Sequence, residues 1–418
     1  MPTRAAAPAD ETVSRAAWGL LLFLTLLNIL NFVDRMLIAS LAPLLIQDLG
    51  LSRTQIGLLA GFGFVFFYTL VGLFLGLAAD RWPRIPLVAA GLTLWSAMTA
   101  LSGLAKSFAH LALPRIFVGV GEATLTPAAL SMLGDAFPRR RLGMASGVYY
   151  SGIPLGTGAG LLLASYVAPR YGWRACFYVL GVFGIVAAGL LLLFREPARP
   201  GASSAGESPR LRDLARDVGR AVLKRRELVL TLAGGSLLVY GAGAALHSVT
   251  WLVQERGFTF GRAAFVSGLI AVPAGFFGNL AGGAFGDWWA RRRPGGRLWS
   301  LVLMTCFFTP VGLVFYQLTP GSPLFYVCWF VTAAGTSSWF GPLFAAIQEL
   351  SPSHTRSSMV AFALLVLNLL GVGPGPLFTG MIGDARSLSL GLLVSLGVVA
   401  TAVVPFALAA RLAQRDAS

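Results

Sequence analysis

Charge is what this sequence has least of. Of its 418 residues only 12% are Asp, Glu, Lys or Arg, about half the roughly 25% of a soluble globular domain. That scarcity excludes a water-exposed surface over most of the chain. Lysine is almost missing: Lys106 and Lys224 stand alone among 32 basic residues, an arginine bias that hints at a GC-rich bacterial genome. Cysteine is scarce too. Cys176, Cys306 and Cys328 lie in separate apolar segments without metal or redox spacing, and read as small buried residues. No nucleophile–base set, metal spacing or phosphate-cradling loop occurs, so an enzyme is not expected.

What is present is apolar. Hydrophobic residues make up 56% of the chain, and the mean hydropathy is +0.74. A spanning helix needs about 20 mainly apolar residues. Twelve such runs are read at 18–44, 55–79, 86–106, 110–135, 142–168, 174–194, 227–253, 262–286, 298–318, 323–348, 357–382 and 388–411. The expected fold class is an all-α membrane protein of twelve spans in two six-helix bundles. Bundles at 18–194 and 227–412 are joined by a linker at 195–226, with tails at 1–17 and 413–418. The first run is far too long for a signal-peptide core and is read as an uncleaved span.

Arginine placement sets the expected orientation. With both termini cytoplasmic, 23 Arg and Lys fall inside and 7 outside, while Arg35 and Arg115 fall within spans. This accounts for the net charge of +15 without a nucleic-acid partner. In the linker, Leu211, Leu214, Val218 and Val222 recur at helical spacing among Arg and Asp. That pattern reads equally as a basic amphipathic helix on the membrane surface or as a solvated tether.

The halves repeat. Gly76-x3-Asp80 and Gly283-x3-Asp287 are both followed by arginines; Asp135, Pro138 and Arg141 echo Glu349, Pro352 and Arg356; Pro127 echoes Pro342. Such parallel repeats relate two halves by an axis along the membrane normal. The twelve spans, central loop and paired loop motifs resemble the major facilitator superfamily. Gly76-Leu-Ala-Ala-Asp80-Arg81-Trp-Pro-Arg84 is similar to its loop 2–3 motif, with Pro83 where Gly is usual. NFVDR (31–35), DLGLSRTQIGLLAGF (48–62), RIFVGVGEATLTPAA (115–129) and SGIPLGTGAG (151–160) resemble the spinster-like branch.

Four ionisable residues lie deep in the first-half spans: Asp34, Arg35, Arg115 and Glu122. Charges in a bilayer usually pair and face a cavity or the bundle interior. Span one carries Asn28, Asn31 and Arg35 on one face with Asp34 at its flank. Span four carries Arg115, Gly119, Glu122 and Thr126 on one face. From a rise of about 1.5 Å per residue, the span-one pair falls at a depth between Arg115 and Glu122. The four can form a static lock between helices, or a site where protonating Asp34 or Glu122 frees an arginine for an anionic group. The second reading is preferred, because buried ionic networks are poor stabilisers. Linked carboxylates titrate together, so neither is singled out as the proton carrier. The resemblance implies coupling and substrate roles for Asp34, Arg115 and Glu122, and extends to Arg35.

The second half offers no central carboxylate or arginine. Spans seven and ten present Tyr240, His247 and Trp251, and Thr336 and Trp339. Together with Asn31, Arg35, Arg115 and Thr126 these form the expected substrate-binding set, charged on one side and aromatic on the other. Gly152, Gly156 and Gly160 read as a helix-packing groove, and Gly373-Pro374 as a hinge. By resemblance, Gly76, Asp80, Arg81, Arg84, Gly283, Asp287 and Arg291 form a cytoplasmic gating latch.

The expected function is proton-coupled transport of an amphiphilic lipid, of lysophospholipid or sphingoid-phosphate type, by alternating access. Alternatives are a proton-driven multidrug or small organic anion transporter, and a lipid sensor that does not transport. The expected partners are the lipid bilayer and an amphiphilic lipid or hydrophobic small molecule. A monomer in the cell (inner) membrane is expected, with no cofactor other than the proton as coupling ion.

Overall fold

The structure, a computed structural model, describes residues 13–198, 219–220, 222, 224–352 and 356–415, without the side chains of 73–81, 139 and 357. The expected amphipathic stretch through Leu211, Leu214 and Val218 lies outside the described residues. Among these, twelve helices are long and apolar enough to cross a membrane: α1 Arg15–Leu49, α2 Arg53–Gly72, α3 Arg84–Ser102, α4 Phe108–Ala136, α5 Arg140–Tyr171, α6 Trp173–Leu191, α7 Arg226–Gln254, α8 Phe260–Ala290, α9 Gly296–Gln317, α10 Pro323–Leu350, α11 Ser358–Ala385 and α12 Leu388–Arg415. Each expected run falls in one of them. An even number of crossings puts the start of α1 and the end of α12 at the same end of the molecule.

Local chemistry places the helix starts. Ser14, Ser52, Ser107, Ser322 and Ser387 accept a backbone N–H at the first turns of α1, α2, α4, α10 and α12, filling donors that a helix start leaves orphaned. Ser52 and Gln55 form a full capping box. Gly50, at φ 64°, ends α1 in the left-handed region, where a side chain would be strained.

Interruptions have equally local causes. α4 breaks between Glu122 and Leu125, and α10 between Ser338 and Phe340. Pro127 and Pro342 come just after these breaks, and each removes an N–H that would bond four residues back. Two π-turns, Leu58–Phe62 in α2 and Asn368–Val372 in α11, face each other across the halves. A Cβ on Gly61 would lie 2.2 Å from Pro376 Cγ, and one on Gly373 would lie 3.2 Å from Phe62 Cδ2. Pro374, immediately after the second π-turn, cannot donate to the helix ladder.

Each half has its own apolar core, and the halves meet at the end opposite the termini. There Asp384 of α11 accepts from the backbone N–H groups of Arg53 (2.9 Å) and Thr54 (2.8 Å) and from Thr54 Oγ1 (2.6 Å). Arg53 donates onward to Gly383 O at 2.5 Å and to Gln254 Oε1 at 3.0 Å. A carboxylate from one half thus caps a helix start of the other, where negative charge is favoured. α5 and α8 close against each other beside it: Cβ atoms on Gly158 and Gly268 would meet Val272 and Leu162 at 2.2 and 3.0 Å.

At the termini end each half carries a matching ion pair. Arg84, whose side chain is 1% exposed, donates to Asp135 at 2.5 Å and Glu196 at 2.8 Å, and also to Ser131 and the Pro197 carbonyl. In the second half Arg297 pairs with Glu349 and with Asp287, the latter at 2.8 Å. The repeated acids Asp135 and Glu349 are therefore the acceptors of repeated arginines at the starts of α3 and α9. This corrects the expected pairing of Asp287 with Arg291: the latter is exposed, and Arg297 reaches Asp287 because α9 begins beside the end of α8. Arg84 likewise holds α4 and the linker start within its own half. Gly76, Asp80 and Arg81 lie where side chains are not described.

Burial pushes the Glu196 carboxyl up, but the Arg84 guanidinium and the N–H groups of Arg84 and Ile85 outweigh it and hold its pKa below the ordinary 4.5. Its contribution is therefore complete above pH 4.5 and fades as the pH falls through the lowered folded value. Glu196→Gln should cost on the order of 1–2 kcal/mol. Thermal unfolding in detergent should show a constant gap from wild type above pH 4.5 that closes on further acidification.

Candidate substrate and coupling site

The four membrane-embedded charges come together as two ion pairs. Arg115 Nη1 of α4 donates to Asp34 Oδ1 of α1 at 2.7 Å, and Arg35 Nε donates to Glu122 Oε2 at 2.8 Å. Arg115 Nη2 also donates to the Arg35 carbonyl at 3.3 Å, so the pairs interlock through adjacent residues of α1. The cluster is neutral as a whole, which is what hydrocarbon surroundings require.

The two pairs differ in access. The Asp34 and Arg115 side chains are 2% and 5% exposed, whereas Arg35 retains 20% and Glu122 none. Phe64 of α2 lies between the arginines, with its ring centroid 5.2 Å from the Arg35 guanidinium and 4.6 Å from that of Arg115. Tyr68 and Phe32 complete an aromatic collar around Arg35, at 4.2 and 5.1 Å. Cation–π contact of this kind steadies a guanidinium without consuming its N–H donors.

Two residues of this site were not anticipated from sequence. Thr99 Oγ1 of α3 donates to Asp34 Oδ2, and the only available signal was a hydroxyl in an apolar run. Tyr68 lies on α2 beyond the π-turn, on a face that helical periodicity does not foresee. Among the described residues, Glu122 Oε1 and Asn31 Nδ2 are buried without a hydrogen-bond partner. Thr126 Oγ1 is 3.2 Å from Tyr149 Oη, and Asn28 donates to the Tyr149 carbonyl. Gly152, Gly156 and Gly160 let α5 approach α1, where Cβ atoms would meet Asn28, Ile29 and Val33 at 2.9, 2.5 and 3.1 Å.

On the other half the expected aromatic wall is thinner than the sequence suggested. Tyr240 and Thr336 are half-buried, and Thr336 donates to the Ala333 carbonyl. Trp251 is fully buried against Phe315 and Tyr316 and donates to Ser389 Oγ at 2.8 Å. Trp339 is 5% exposed and stacks on Phe340. His247 is buried beside the Pro376 carbonyl, 2.9 Å from its Nε2. These three are packing residues: a short 3₁₀ turn, Ala245–His247, rotates the end of α7 away from the face that uniform helical spacing assigned. No Asp, Glu, Lys or Arg occurs in 228–254, 263–286, 298–348 or 357–383, so the charge asymmetry between the halves remains.

A model of the Major Facilitator Superfamily matches residues 24–376. The chain belongs to that superfamily. It is 33% identical over 385 residues to an MFS-type efflux pump of Mycolicibacterium smegmatis, covering 92% of this chain and 88% of the pump. It is 26% identical to protein spinster of Drosophila melanogaster, covering 92% of this chain but 65% of spinster. The sphingosine-1-phosphate transporter SPNS2 of Xenopus tropicalis is 27% identical, with 85% and 72% covered. In fold, this major facilitator is similar to a bacterial homolog of the human lysosomal transporter spinster in an inward-facing, unoccupied conformation. Their TM-score is 0.84 at 24% identity, covering 96% and 98% of the chains. It is accordingly a multi-pass membrane transporter of spinster type, from a family of transporters and not of enzymes.

Thr99→Val keeps the shape of the side chain and leaves a buried carboxylate short of one donor. The expected loss is about 1.5–3 kcal/mol, read as a lower Tm in detergent. Thr99→Ser should recover most of it, and in Asp34→Asn the same Thr99→Val change should cost little.

Proposed function

We propose that this transporter moves an amphiphile with an anionic headgroup and couples that movement to protons. The observation that carries the proposal is the asymmetry of access within the ion-pair cluster. Arg35 alone is partly exposed, and its partner Glu122 is buried with one oxygen unpartnered. A proton on Glu122 would neutralise the acid, free the Arg35 guanidinium, and leave it able to take a phosphate or carboxylate by a two-point contact. Asp34 and Arg115 hold the neighbouring residue of α1 in place and connect the two titrations through the Arg35 carbonyl. Arg35, Arg115, Asn31 and Thr126 are the polar side of this proposed site. Tyr240 and Thr336 belong to a second half without charge, suited to an apolar tail.

Support for a lipid comes from the sphingosine-1-phosphate transporters among the relatives. The efflux pump, 33% identical, favours a second reading in which a hydrophobic drug-like compound occupies the same asymmetric space. With both termini cytoplasmic, as the arginine distribution implies, the halves meet on the outer side and the conformation is inward-facing. Alternating access then requires the Asp384 cap on α2 to break. The protein would act in the bacterial inner membrane as a monomer, with the proton its sole coupling ion.

Reconstituted into proteoliposomes, the wild type should drive lysophospholipid flux that rises with an imposed pH gradient. Asp34→Asn and Glu122→Gln should abolish the gradient dependence while keeping the wild-type elution profile and Tm. Flux in both variants that still tracks the gradient would defeat the coupling role. Robust gradient-driven efflux of hydrophobic dyes with no lipid flux would select the second reading. Separately, Thr54→Cys with Asp384→Cys should crosslink on mild oxidation, arrest transport at least tenfold, and recover on reduction.

A further inference from the structure

The end opposite the termini holds few basic residues, and most of them are engaged. Arg53 serves the Asp384 cap, Arg174 pairs with Asp48 at 2.7 Å, and Arg256 stacks over Trp251 and donates to the Tyr316 carbonyl. Arg170 and Arg262 are different. Both are exposed, and neither has a carboxylate partner among the described residues. Arg170 lies one residue before the end of α5, in the first half. Arg262 is the third residue of α8, in the second.

They share one groove of about 610 Å³ with Leu162, Tyr166, Gly261 and Phe265. Its shape comes from the sequence. Gly261 lets α8 begin close to α5, where a Cβ would lie 3.7 Å from Pro169. Toward the membrane interior the walls are apolar, with Phe265 49% and Tyr166 60% exposed. Toward the interface the two guanidiniums are held without being used up. Arg170 stacks on Tyr166 at 3.9 Å and donates once to its carbonyl at 2.8 Å. Arg262 lies 5.1 Å from the Phe258 ring and donates once to Tyr326 Oη at 3.1 Å. Each guanidinium has five N–H donors, so most remain free.

We propose that this groove binds an anionic phospholipid of the leaflet at the end opposite the termini. Arg170 and Arg262 would share its phosphate, and the acyl chains would run along Leu162 and Phe265. Charge complementarity selects the occupant: two arginines without acids sit at interfacial depth, directly above apolar walls that only a lipid tail or a detergent would cover. This site is separate from the ion-pair cluster and does not depend on what the transporter carries. It also has a conformational consequence. The two arginines come from different halves, so a lipid that engages both binds the arrangement closed at this end more tightly than any arrangement that parts them. Differential affinity of this kind shifts the population toward the closed end.

The test is a lipid titration of delipidated, detergent-purified protein read by native mass spectrometry, with phosphatidylglycerol and phosphatidylcholine as the probes. Wild type should retain phosphatidylglycerol preferentially. Arg170→Gln and Arg262→Gln should each weaken its retention about fivefold, and the pair about 25-fold, from the usual contribution of a basic residue near anionic lipid. Arg291→Gln, at the other end, should change nothing. Melting curves without lipid establish that the variants fold, and either single variant carries the test if the double one does not. Undiminished phosphatidylglycerol binding in folded variants would overturn the proposal. So would phosphatidylcholine binding of equal strength and equal sensitivity to the arginines.

Discussion

A charge cannot stay unpaired in hydrocarbon, and the first half of this transporter is arranged around that constraint. Asp34 and Arg35 are neighbours on α1, so they point in different directions and cannot fully satisfy one another. Each therefore takes a partner from α4, seven residues apart along that helix, and Thr99 of α3 and the aromatic collar of α2 close the remaining sides. Four helices are thereby committed to one neutral cluster. The glycine ladder of α5 then packs against the back of α1, which leaves Arg35 as the one charge with access. The same rule explains the second half by contrast: with no interior charges to neutralise, it fills its space with aromatic and aliphatic packing.

Much of this was legible from residues alone. The spans are readable from apolar run length, and the membership of the ion-pair cluster from depth along ideal helices. Which acid meets which arginine was not readable, because that depends on the rotation of α1 against α4. Trp251, His247 and Trp339 show the limit on the other side. Their faces were assigned by uniform helical spacing, and a 3₁₀ turn in α7 and a proline break in α10 rotate the remainder of each helix. The Asp384 cap was also hidden. It joins residues 330 apart, and nothing local in α2 or α11 announces the contact. The paired loops were half visible: the acids Asp135 and Glu349 stood out as repeats, while Arg84 and Arg297 were lost among other arginines.

The two ends of the molecule are held by different kinds of contact. At the termini end the ion pairs are internal to each half, so they stiffen the bundles as bodies without tying one to the other. At the opposite end the polar contacts cross between the halves, and most gather on one carboxylate. Rigid bodies joined by a small, separable polar contact are what a rocking motion needs. Glycine packing between α5 and α8 supplies a smooth surface for that motion beside the cap.

The facing π-turns of α2 and α11 carry a consequence for how the sequence tolerates change. A π-turn holds one residue more than an α-turn needs, so everything beyond it is rotated by roughly 100° relative to an unbroken helix. Removing a single residue within 58–62 or 368–372 would restore an ordinary helix, but it would swing Tyr68 off the Arg35 guanidinium, or Asp384 off its cap. These two turns thus act as phase setters: a slack residue in each fixes the angular register between the packed half of a helix and its functional half.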